Sequence, residues 1–120
     1  MHELAVTQSL VELAVRKANE RGAQRVTDLN LVIGRLASIV DDSVQFYFDE
    51  VSRDTLCEGA QLHFKRVPAR LLCLDCQCVY ELGRDMAPCP HCGSARLRVV
   101  GGDEFYLESI EVEGLESVPA

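Results

Sequence analysis

Four cysteines set in two short pairs are the residues in this chain whose spacing most clearly prescribes a chemistry. Cys73-Leu74-Asp75-Cys76 and Cys89-Pro90-His91-Cys92 are C-x2-C pairs separated by 12 residues. Each pair puts two thiols on one tight turn, and two such turns facing each other assemble a tetrahedral set of four sulfurs. Zinc suits that set, because its filled d shell imposes no competing geometry and thiolate is a good ligand for it. Four thiolates close the coordination sphere, so the expected role is structural, not catalytic. Spacing alone does not separate zinc from iron in a rubredoxin-type site. A dithiol redox centre would need a thioredoxin-like strand and helix around one pair, and that setting is not evident. Of the two remaining cysteines, Cys57 and Cys78, the second lies close enough to Cys76 to compete as a ligand. Both are read as small residues of a reducing compartment, and His91 as an exposed residue of its turn.

A second constellation stands at the start of the chain, Met1-His2-Glu3. An α-amine, a backbone nitrogen and an imidazole in adjacent positions form a chelate, and Glu3 adds an amide nitrogen or a carboxylate. Nickel(II) accepts such nitrogen and oxygen donors in square-planar or tetragonal geometry. A site this small and open would load and release its ion readily, as a carrier requires. Taken by itself, a histidine at such a position is more often a solvated residue or part of a helix entry, and Glu3 suits a helix N-terminus in any case.

These residues need elements to position them. The 120-residue chain is long enough for one small domain with a metal-stapled insert, and its 48% hydrophobic content supplies a modest core, aliphatic because tryptophan is absent. A net charge of −7 opposes binding to phosphate backbones or anionic lipid, which argues against nucleic-acid and membrane partners. No signal peptide or membrane span is legible, so a cytoplasmic location is expected. No nucleophile–base pair or phosphate loop is present, so the chain is not expected to be an enzyme.

Val6, Leu10, Leu13, Ala14 and Lys17 recur at helical steps, predicting a helix over residues 4 to 21 that stops at Gly22. Val26 to Ile33 alternates as a half-buried strand up to Gly34. A second helix is predicted over residues 42 to 54, with Asp42 as its cap, Gln45 completing a capping box, and Val44, Tyr47, Phe48 and Val51 inward. A strand from Ala60 to about Pro68 follows. Between Ala69 and Gly102 periodicity fades, five of the six cysteines gather, and Pro and Gly punctuate the chain. Phe105 to Val112 resumes as a strand whose apolar parity switches midway, which predicts a bulge or a passage from the cysteine module back to the main sheet. The tail from Gly114 is expected to be loose. The expected fold is α+β: two helices packed on a small mixed β-sheet, with an inserted four-cysteine zinc-ribbon-like domain. Residues 1–68 plus 103–120 would form the first domain and 69–102 the second.

Together these features resemble one family. Met1-His2-Glu3, the helix ending at Gly22, the strand Val26 to Gly34, Cys57-Glu58-Gly59-Ala60-Gln61-Leu62 ahead of Pro68, and the two cysteine pairs occur in the order seen in the HypA/HybF hydrogenase maturation nickel chaperones. The likeness runs from residue 1 to about Glu113. It implies a nickel(II) site centred on His2 with Glu3 contributing, and structural zinc(II) held by Cys73, Cys76, Cys89 and Cys92. It also implies delivery of nickel to the large subunit of [NiFe] hydrogenase together with the GTPase HypB, possible service to urease, and a monomeric or homodimeric state. Readings that stay open on the residues alone are a zinc-ribbon interaction adapter with no second metal and a rubredoxin-like iron electron carrier.

Overall fold

The computed structural model describes residues 3–39, 41–82, 87–114 and 117–120. Met1 and His2 lie outside them. The elements run α1 (Glu3–Glu20), β1 (Val26–Gly34), α2 (Asp41–Val51), β2 (Gln61–Val67), β3 (Arg70–Cys73), β4 (Val79–Glu81), β5 (Leu97–Gly101), β6 (Phe105–Val112) and β7 (Val118–Pro119). They make two sheets, a four-stranded one in the order β2-β1-β6-β7 and a three-stranded one in the order β4-β3-β5. The molecule is elongated, 54 × 26 × 18 Å, and among the described residues the buried side chains form two separate cores.

The larger core follows from the helical stripe. Leu10, Val11, Ala14 and Ala18 of α1 meet Val44 and Phe48 of α2 above Leu29, Leu31 and Ile33 of β1 and Ile110 of β6. Thr7 is buried on the same face, its hydroxyl donating to the Glu3 carbonyl at 2.6 Å, which removes the cost of hiding it. α1 ends as predicted: Ala23 N–H reaches the Ala18 carbonyl at 3.0 Å and Gly22 N–H that of Asn19 at 3.1 Å, the paired bonds of a Schellman motif. The sheet is mixed, because β1 runs parallel to β2 through the α2 crossover and antiparallel to β6. The predicted bulge lies at Glu108, between the pairs Asn30↔Ser109 and Leu31↔Leu107. It lets Leu107, Ile110 and Val112 all point into the core despite the parity switch.

Three expectations need correction. α2 begins at Asp41 and ends at Val51, so Asp42 lies in the first turn and is not the cap. The Gln45 amide donates to Asp49 at 3.0 Å, one turn onward, so it closes no capping box. The helix stops early because the chain soon turns through Asp54, whose φ of 62° cannot continue a right-handed helix. The tail is not loose throughout: Val118 is buried, and β7 pairs with Ser109 and Ile110 of β6. The cysteine-rich segment holds three short strands of its own, built on Ala69, Leu71 and Leu82 with Tyr80 and Leu97 against them.

The two sheets meet where backbones touch. A Cβ at Gly34 would lie 2.1 Å from the Gly102 carbonyl oxygen, and one at Gly102 would lie 2.4 Å from Ala69 Cα. Only glycine permits that approach. Around it, Gly34 N–H donates to Glu104 O at 2.7 Å, Leu36 N–H to Gly102 O at 2.6 Å and Arg35 N–H to Val67 O at 2.9 Å. The segment that carries the cysteines is therefore clamped at both its exit and its return.

Candidate metal centres

Cys73 is the last residue of β3, and the chain reverses at once. Gln77 N–H donates to Cys73 O at 2.8 Å and Cys73 N–H to Cys78 O at 2.9 Å. The second pair repeats this at the same offsets: Gly93 N–H to Cys89 O at 2.8 Å, and Cys89 N–H to Ser94 O at 3.0 Å. Both knuckles place the residue after the second cysteine in the left-handed region, Gln77 at φ 62° and Gly93 at φ 73°. A local rule therefore builds each turn, and the glycine is used in only one of them.

The knuckles face each other. Cys73 Sγ lies 3.5 Å from Cys92 Sγ, and Cys76 Sγ lies 3.5 Å from Cys89 Sγ. All four sulfurs are within 4.8 Å of one another. A tetrahedral zinc with bonds of ~2.3 Å sets its sulfurs about 3.8 Å apart, whereas a disulfide needs ~2.0 Å. The donor set fits a metal and does not fit a disulfide. Cys73 and Cys89 are buried, and Cys76 and Cys92 are exposed, so the ion would sit at the edge of the module.

The environment favours thiolate at the inner position. The Cys73 thiol is lowered to about 6, first by the Cys76 backbone N–H aimed at its sulfur from 3.5 Å, against opposing desolvation. At Cys89 burial opposes the charge, and backbone N–H groups, His91 N–H at 3.4 Å among them, aim at the sulfur and lower its thiol. Amides aimed in this way would form the outer layer that orients the sulfurs around a metal.

A polar clasp that sequence reasoning did not single out joins the two knuckles. Asp75 accepts from the Ser94 hydroxyl and, at 2.5 Å, from Arg96 Nη1, and Leu74 N–H donates to Arg96 O at 2.9 Å. Asp75 sits inside the first C-x2-C pair, but nothing in the sequence pairs it with Ser94 or Arg96. The remaining cysteines behave as expected from their types. Cys57 is fully buried in the main core and its thiol is pushed up to about 11 by desolvation. Cys78 is outside the four-sulfur group and contributes its carbonyl, while the His91 side chain is exposed and joins no metal-type group among the described residues.

Of the N-terminal constellation, the structure describes Glu3, the first residue of α1. Its amide has no i−4 acceptor to serve, since the first four N–H groups of a helix lack intrahelical partners. That nitrogen is chemically available. The helix dipole opposes a cation there by roughly 0.3–1 kcal/mol, and the Glu3 carboxylate opposes that opposition with a similar weight. His2 lies outside the described residues.

Fold and cysteine cluster define the class: a small α+β protein that carries a four-cysteine metal-type module beside a helix-covered mixed sheet. The chain belongs to the HypA family, whose model, described as hydrogenase/urease nickel incorporation metallochaperone, matches residues 1–112. It is 43% identical over 113 residues to the hydrogenase maturation factor HypA of Dehalococcoides mccartyi, covering 94% of this chain and 95% of that one. With HypA of Caldanaerobacter subterraneus it shares 46% over 114 residues, covering 94% and 100%, and with HybF of Salmonella typhimurium 44% over 113, with the same coverages. The fold is similar to the solution structure of the nickel metallochaperone HypA from Helicobacter pylori, with a TM-score of 0.70 and 26% identity over 93% of this chain and 97% of that one. A further HypA solution structure matches with a TM-score of 0.75 and 25% identity over 96% and 98%. Among the described residues no helix is long and apolar enough to cross a membrane.

Proposed function

We propose that this protein is a nickel carrier for the maturation of [NiFe] hydrogenase, and in some settings urease, with one labile and one resident metal. Membership of the HypA family over residues 1–112 carries this reading. The nickel is the cargo. With a free amine at Met1, the α-amine, the His2 backbone and imidazole nitrogens and Glu3 would hold it, and α1 would present them at its open end. Zinc would be resident in the set Cys73, Cys76, Cys89 and Cys92, whose spacing fits a closed tetrahedral site. When bound it supplies a cross-link between the two knuckles and no reactive position. We take the chain as two domains, residues 1–68 plus 103–120 and residues 69–102, because each sheet has its own buried cluster.

The chain's part in delivery is to hold and release, without catalysis. Nitrogen and oxygen donors in an open chelate would exchange faster than a closed thiolate cage, so the ion leaves when a partner offers more donors. The partners would be the GTPase HypB and the hydrogenase large subunit, met in the cytoplasm by this protein as a monomer or homodimer. Nickel titration of the native chain, of His2→Ala, and of a chain extended ahead of Met1 tests the location. Loss in the second and weakening in the third are expected. Equal binding by all three would place the nickel elsewhere, and a chain that binds zinc alone would be an adapter.

A further inference from the structure

The face of the large sheet turned away from the helices carries a second set of metal-type ligands. Leu29, Leu31 and Ile33 point into the helical core, so strand alternation puts Asp28 and Asn30 on the opposite face. The register aligns Asp28 with Glu111 of β6 on one side, and Asn30 with His63 of β2 on the other. The His63 ring leans back toward Asp28, and its Nε2 lies 2.6 Å from Asp28 Oδ2. One ligand atom from each of Asp28, His63 and Glu111 lies within 4.8 Å of the other two. Three adjacent strands therefore present an imidazole and two carboxylates at one point.

The charges in this group are unevenly served. Asp28 is lowered from its ordinary value chiefly by the hydrogen bond from His63, so it carries its charge. The Glu111 carboxylate makes no hydrogen bond or ion pair with any described residue. Two carboxylates this close repel unless a cation lies between them. One imidazole can offset only part of that. The neighbouring cation on this face, Lys65, is directed to Glu108 at 4.0 Å.

We propose that Asp28, His63 and Glu111 form a surface site for a borderline divalent ion, zinc or nickel, with water filling the remaining positions. The ligand types select the ion. Imidazole favours zinc and nickel over magnesium and calcium, and the lack of thiolate removes the preference for copper(I). Tetrahedral bonds of ~2.1 Å set ligand atoms about 3.4 Å apart, so His63 Nε2 and Asp28 Oδ2, now 2.6 Å apart, must part slightly to admit the ion. The exposed Glu111 and His63 side chains can do this by rotation while the strands stay fixed. All three ligands come from one side, so the ion stays open to solvent and exchanges. The site shares no residue with the four-cysteine set or with residues 1–3, and it stands whether or not the N-terminus binds nickel.

The test uses the full chain with its cysteine site filled and His2→Ala to silence the N-terminus. Zinc alone is titrated while the imidazole nitrogens of His63 are followed by NMR. A saturable shift of the His63 signals at one added zinc per chain is expected. His63→Gln should abolish that equivalent, and Asp28→Asn and Glu111→Gln should each weaken it by about tenfold or more. His63 signals that do not respond to zinc would overturn the proposal. So would unchanged affinity in Glu111→Gln, because Asp28 and His63 would then be only an ion pair.

Discussion

Replacing Gly34 by alanine probes the junction on which the relative placement of the two sheets depends. The added carbon would stand 2.1 Å from Gly102 O, 2.2 Å from Gly102 C and 2.7 Å from Asp103 N. All three are backbone atoms, so no side chain can swing aside. Restoring ordinary contact distance requires the strands to part by more than an ångström. Such a shift breaks the Gly34–Glu104 and Leu36–Gly102 bonds, now 2.7 and 2.6 Å, at about 1 kcal/mol each. Overpacking adds about 1–3 kcal/mol. The total is about 3–5 kcal/mol, a large part of the ~6–15 kcal/mol that a chain of this length commands. At roughly 3 °C per kcal/mol, the melting temperature should fall by about 10–15 °C. Calorimetry on the metal-loaded protein measures the loss, and amide shifts should spread to Ala69, Arg70 and Gly101. A variant that melts within about 3 °C of the parent would refute the close-contact argument.

Four further outcomes follow from the structure. Gly93→Ala should cost about 1 kcal/mol, since a Cβ there meets nothing within 4 Å and only the positive φ is strained. Gln77→Gly at the equivalent position should change stability by less than about 0.5 kcal/mol, because relief of the same strain is offset by a freer unfolded chain; denaturant unfolding of both reads the asymmetry, and equal effects would deny the repeat. Stripping the cysteine-bound metal with a chelator should abolish hydrogen-exchange protection in β3 and β5 while β1 keeps its own, and uniform loss would mean the metal organises the whole chain. Truncation after Gly114 removes buried Val118 and should cost about 2 kcal/mol in urea unfolding, whereas a loose tail would cost nothing.

What could be read from the residues, and what could not, divides by the range of the forces involved. α1 was legible because its stripe and its Gly22 stop are both local, and the β6 bulge because the parity switch between Leu107 and Ile110 is visible along the chain. The four cysteines declared their own grouping through repeated spacing. The strands around them did not, because β3, β4 and β5 are three to five residues long and gain their stability from cross-strand partners such as Leu71 with Tyr80 and Val99. β7 is two residues, and Val118 is buried only because β6 lies beside it. Asp42 had the composition of a cap, but the helix starts one residue earlier, where Asp41 accepts from Arg66 at 2.5 Å across the fold. The Asp75–Ser94–Arg96 clasp and the Asp28–His63–Glu111 group likewise join residues that only the tertiary fold brings together.

The most direct test of the carrier account is a metal count on untagged protein after loading with nickel and exhaustive dialysis. One zinc and one nickel per chain are predicted, the nickel disappearing with His2→Ala while the zinc remains. Full zinc with no retained nickel in the native chain would contradict the account.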